Sequence, residues 1–261
     1  MQILRYLPLM GKLLHTDLEL FKRTILDKLI DLSIWVVTMV AVTAYLMPSF
    51  GLSQGYTGFL IASLVASAGL FELYTSATNL VSDFYGDNIT SYYVTLPMPS
   101  WLTFVEKILY YTINCSVIGI IVLPLSKLLA WNSFSFAECS FFKFFLIFIL
   151  SNLFYGAFTI WIASKIPGLE MIGSIWMRFV YPLWFLGGFQ FPWQVLYEYN
   201  PPLAYMSLLN PITYVMEGHR AAILGQPGAL NFWLCVLMLL VFTLLFGWHG
   251  MKLLKKKLDY V

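Results

Sequence analysis

Residues 189–225 read FQFPWQVLYEYNPPLAYMSLLNPITYVMEGHRAAILG, an apolar stretch broken by Pro192, Pro201, Pro202 and Pro211. Asn210 before Pro211 predicts a helix start, because an Asn side chain accepts from free amides of the first turn and proline suits the first helical position. Gly225, with Pro227 beyond it, predicts the stop. A helix over residues 211–224 would be roughly 21 Å long against roughly 30 Å of hydrocarbon core. It cannot cross a membrane, so it lies at the surface or dips in and returns.

The rest of the chain supplies the membrane. Of 261 residues, 60% are hydrophobic and 11% charged, against roughly 25% charged in soluble domains. This predicts an all-α polytopic membrane protein forming one domain over residues 1–261. Spans are expected at residues 29–47, 56–81, 101–129, 142–164, 171–188 and 231–251, six in all. Before them, Leu7, Met10, Leu14, Leu18, Phe21 and Ile25 form a helical stripe with Lys12, Lys22 and Arg23 set elsewhere, predicting an interfacial helix over residues 1–28. Lys12, His15, Asp17 and Glu19 interrupt any early apolar core, so no cleavable signal peptide is expected. Residues 82–100 are polar and belong outside the bilayer.

Basic residues orient the chain. With the N-terminus in the cytoplasm, Arg5, Lys12, Lys22, Arg23, Lys28, Lys107, Lys165 and the cluster Lys252, Lys255, Lys256 and Lys257 fall inside, and Lys127, Lys143 and Arg220 outside. Both termini are then cytoplasmic, residues 82–100 are an inner loop, and residues 189–230 lie at the outer face. The cations sit at the ends of apolar runs, which is not a nucleic-acid footprint. Cys115, Cys139 and Cys235 have neither metal nor redox spacing.

Leu209-Asn-Pro-Ile-Thr-Tyr214, with Glu217 and Arg220 following, resembles a signature of the type-2 ATP-binding-cassette exporter permeases. Leu186-Gly-Gly-Phe189, Phe191-Pro192 and Ile223-Leu-Gly225 also fall where that family places similar residues, and the resemblance extends over nearly the whole chain. It implies that residues 189–230 are re-entrant outer helices between spans five and six, with Asn210, Pro211, Thr213, Tyr214, Glu217 and Arg220 as an outer-gate motif. It implies that the loop at 82–100 is a coupling helix docking on a cytoplasmic ATPase, through Asp83, Tyr92, Tyr93, Leu96 and Pro97. The basic residue and Glu that the family often carries in that loop are missing here. The implied assembly is two permease copies and two ATPase subunits in a bacterial inner membrane. ATP and Mg would be bound by the partner, with no cofactor on this chain; no Gly-x-x-x-x-Gly-Lys phosphate loop exists in the sequence.

Catalysis has little footing, since His15, His219 and His249 all lie near predicted helix ends with no mid-membrane acid beside them. Aromatic residues are dense between Trp176 and Tyr205. Their apolar faces and polar tips suit an amphipathic drug, lipid or glycan, although an interfacial belt explains many of them. Glu72 and Arg178 are the deep charges of spans two and five at matching depth, which predicts an intramembrane ion pair. Two other classes are an ion-coupled secondary transporter, which should carry acids in several spans or paired broken helices, and a membrane scaffold that transports nothing.

Overall fold

The computed structural model describes residues 6–51, 55–225 and 229–258, and every regular element among them is a helix. In chain order these are α1 Leu7–Ala41, α2 Gly55–Tyr85, α3 Ile89–Thr95, α4 Ser100–Gly119, α5 Val122–Leu129, α6 Phe141–Lys165, α7 Ile172–Ile175, α8 Tyr181–Leu186, α9 Trp193–Tyr199, α10 Pro201–Ser207, α11 Pro211–Ile223 and α12 Phe232–Leu258. Among the described residues, five stretches are long and apolar enough to cross a membrane: Leu7–Phe50, Gly55–Tyr85, Ser100–Leu129, Phe141–Lys165 and Phe232–Leu258. They fit a multi-pass membrane protein.

Prolines set the irregularities within these runs. Pro124 has no N–H for the carbonyl of Ile120, and α4 gives way to α5 across a turn at Ile120 and Ile121. Pro48 and Pro182 act alike, each preceded by a π-helical turn, Val42–Leu46 and Trp176–Val180. At the second, Tyr181 N–H reaches back to the Trp176 carbonyl. The stretch expected as a fifth span, residues 171–188, is therefore a relay of 3-10 turn, α7, π-turn and α8 that runs from Leu169 to Leu186.

The expected boundary between an interfacial helix and a first span, at residue 28, is not a break in the chain. Nothing between Leu7 and Ala41 interrupts the hydrogen-bond ladder, and α1 runs through as one helix of 35 residues. Its polar residues Asp17 and Lys28 turn inward rather than toward solvent.

The centre belongs to α2. Every residue from Thr57 to Leu70 is buried, and the small side chains at Gly58, Ala62, Ser63, Ala66, Ser67 and Gly69 let α4, α6 and α11 pack closely around it. By contrast α1 and α12 are peripheral, with 22% of the most apolar window of each buried. Two groups of short elements lie at opposite ends of α2: α3 beyond its last turn, and α8 to α11 beside its first turns.

Candidate functional site

Within residues 189–225, α9 and α10 are largely exposed and α11 is buried beside the first half of α2. Asn210 is the N-cap of α11: its Oδ1 accepts from Ile212 N–H at 3.0 Å and its Nδ2 donates to the Leu183 carbonyl at 2.6 Å. The cap therefore fixes both the start of α11 and its seat against α8. Thr213 Oγ1 donates to the Ser207 carbonyl and Tyr214 OH to the Leu208 carbonyl, each at 2.8 Å, satisfying the free carbonyls at the end of α10. Pro211 occupies the first helical position, as its fixed φ and missing N–H favour. Replacing Asn210 with Ala is expected to lower stability by about 1 kcal/mol through the cap alone. Asn210→Asp keeps the acceptor but sets a carboxylate oxygen against the Leu183 carbonyl in place of a donor, and it should unfold at a lower temperature than the parent.

Twelve of the 13 residues of α11 are buried, including two formal charges. Glu217 and Arg220 are 1% and 0% exposed and bond to each other at 2.8 Å. Arg220 collects the turn that precedes α9. Its Nη2 donates to the carbonyls of Gly188 and Phe189, and its Nη1 to that of Phe191. Nη2 also reaches Ser63 Oγ on α2 at 2.7 Å, and the guanidinium lies 3.9 Å above the Phe59 ring. The carboxylate of Glu217 accepts from Trp193 N–H at 3.0 Å and Leu230 N–H at 3.4 Å, capping α9 and holding the approach to α12. Gly188 makes the turn possible: its φ is +90°, and a Cβ there would stand 2.9 Å from the Phe191 carbonyl oxygen. One turn further along α2, Ser67 accepts from Trp184 Nε1 at 2.8 Å. Three chain segments thus converge on one pair of charges. The planar fork of arginine can serve several carbonyls and a carboxylate at once, which lysine cannot.

The second predicted element, at the other end of α2, is α3. Both oxygens of Asp83 accept backbone amides at its N-terminus, from Ile89 at 2.7 Å and Thr90 at 2.8 Å, where a negative charge favours a helix. Leu96 ends α3 in the extended conformation required before Pro97. The two adjacent tyrosines diverge. Tyr92 is 62% exposed, while Tyr93 is buried with Leu13 and Met98 and donates to Asp17 Oδ1 on α1 at 3.2 Å. Burial, and then the neighbouring Asp17 charge, push the Tyr93 phenol well above its ordinary range, so it stays a donor. Of the expected docking pair, only Tyr92 presents its ring outward.

The expected pairing of Glu72 with Arg178 is corrected. Glu72 receives Lys28 Nζ from α1 and Ser76 Oγ at 3.2 Å. Arg178 lies on the π-turn, exposed, and among the described residues it makes no ion pair. Equal depth along two helices does not place two side chains on facing sides, and Lys28, counted as a residue at the membrane edge, stands closer. A second inward pair, Asp17 with Lys107 on α4, was also missed. Its signal was present: Asp17 and Lys28 are eleven residues apart, close to three helical turns, and share one face of α1.

No model of a known protein family matches this chain, and no curated protein matches it.

Proposed function

We propose that the chain is the membrane-spanning permease subunit of a type-2 ABC exporter. The observation that supports this most is α11, a helix of 13 residues, too short to cross a bilayer yet buried on nearly all sides and centred on an ion pair. Irregular backbone at membrane depth is stable only where protein or a cavity covers it, and the carbonyls held by Arg220 meet that condition. In this reading residues 169–186 are the fifth of six spans, and α9, α10 and α11 are re-entrant elements closing the outer end of the path. Asn210, Pro211, Thr213, Tyr214, Glu217 and Arg220 hold that gate together. Both termini are cytoplasmic in a bacterial inner membrane.

On the cytoplasmic side α3 is the coupling helix, seated from within by Tyr93 and Asp83 and offering Tyr92 to a separate ATPase that binds ATP and Mg. Two ATPase subunits and a second permease copy complete the exporter. Its substrate is an amphipathic drug, lipid or glycan, suited by the exposed rings of Tyr181, Tyr197, Tyr199 and Tyr205. An apolar cavity of about 260 Å³ among α8, α9 and α10, walled by Leu183, Leu186, Leu196, Met206 and Leu209, adds room for an acyl or ring system.

A second reading, an ion-coupled secondary transporter, is favoured by the burial of Asp17, Glu72 and Glu106 in three different long helices. Lys28 and Lys107 neutralise the first two as structural locks. The test is co-purification with a candidate cytoplasmic ATPase, and ATP hydrolysis measured against a panel of lipids, glycans and amphipathic drugs. Hydrolysis should respond to a panel compound, and Tyr92→Ala should abolish that response without lowering thermal stability. An ATPase that neither co-purifies nor responds would sink the proposal.

A further inference from the structure

Glu106, on the first turns of α4, is 0% exposed, and among the described residues no N–H or O–H donates to either of its carboxyl oxygens. What lies within hydrogen-bonding reach is another carboxyl, that of Asp17 on α1. Asp17 is itself 4% exposed and already supplied with donors: Lys107 Nζ on Oδ2 and Tyr93 OH on Oδ1. Two ionised carboxylates are both acceptors and cannot bond to each other. A second buried anion with no donor costs far more than taking up a proton.

The surrounding charges do not relieve it. Lys107 on α4 is the one ammonium beside the two carboxyls, and Lys28 is committed to Glu72 across a cavity of about 150 Å³. The remaining neighbours are Tyr93 on α3, Tyr110 and Tyr111 on α4, and Asp83 at the end of α2. The tyrosines are neutral, and Asp83 is spent on the amides that start α3.

We infer that Asp17 and Glu106 form a proton-binding site, in which Glu106 carries one proton and donates it to the Asp17 carboxylate. The site is then neutral overall: one ammonium, one carboxylate and one carboxylic acid. It joins α1 to α4 directly and holds α3 through Tyr93. Loss of the proton would set two anions against one Lys107 and weaken the hold of Asp17 on Tyr93. The inference does not depend on the permease reading, because it concerns only buried side chains of this chain.

Infrared spectroscopy of the full-length protein in lipid tests it. At neutral pH a carboxylic-acid C=O band should be present, shift in heavy water, and vanish in Glu106→Gln. The amide of Glu106→Gln still donates to Asp17, so the variant should fold, and its unfolding temperature should depend less on pH than that of the parent. Asp17→Asn should remove the same band, because Glu106 then ionises against Lys107. A band that survives Glu106→Gln, or an unchanged pH profile in that variant, would overturn the inference.

Discussion

Arg220→Met is expected to cost about 3–5 kcal/mol, as removal of one partner of a buried ion pair does. The loss has two parts. Glu217 is left as an uncompensated carboxylate at 1% exposure, and the carbonyls of Gly188, Phe189 and Phe191 lose the donor toward which they all turn. Denaturant or thermal unfolding in lipid would measure the first. Hydrogen exchange across residues 187–193 would report the second as a local rise. Because much of the cost is the orphaned charge, the double variant Glu217→Met with Arg220→Met should be less destabilised than Arg220→Met alone. Additive losses would mean that the pair is not a unit.

The second large effect is steric. A Cβ on Gly156 of α6 would stand 2.6 Å from the Ile108 carbonyl oxygen and 2.7 Å from Thr112 Oγ1, both on α4. A backbone oxygen cannot turn aside, so the two helices must separate. Gly156→Ala is expected to cost about 1–3 kcal/mol by overpacking, despite the gain in helix propensity. Gly247 on α12 is the control, since its nearest would-be contacts, 3.7 Å and 3.8 Å, are ordinary. Gly247→Ala should leave the unfolding temperature unchanged or raise it. Equal behaviour of the two variants would contradict the close approach of α4 and α6.

The long apolar runs and the broken stretch were legible in the sequence because hydropathy and proline placement act locally. The start at Asn210–Pro211 is where the cap geometry puts it, and α11 ends one residue short of the expected 224, ahead of a left-handed Gly225. Glu217 and Arg220 were readable as residues worth singling out, but not as a buried pair. Nothing in their spacing says that Ser63, 157 positions away, and three carbonyls share the same guanidinium. Partner choice failed for Glu72 because depth along a helix is one coordinate and the direction a side chain faces is another. Two basic residues counted only as topological markers turned out to have structural partners: Lys28 with Glu72 and Lys107 with Asp17. The continuity of α1 was missed because an apolar stripe with cations set elsewhere suggested a separate interfacial helix, when Asp17 and Lys28 face inward.

The most direct measurement is transport into inverted vesicles containing this chain and a candidate ATPase, with a fluorescent amphiphile as cargo. The exporter reading predicts uptake that requires ATP, persists when a protonophore collapses the proton gradient, and disappears in Tyr92→Ala while the protein stays folded. Uptake driven by a pH gradient without ATP, and indifferent to Tyr92→Ala, would contradict it.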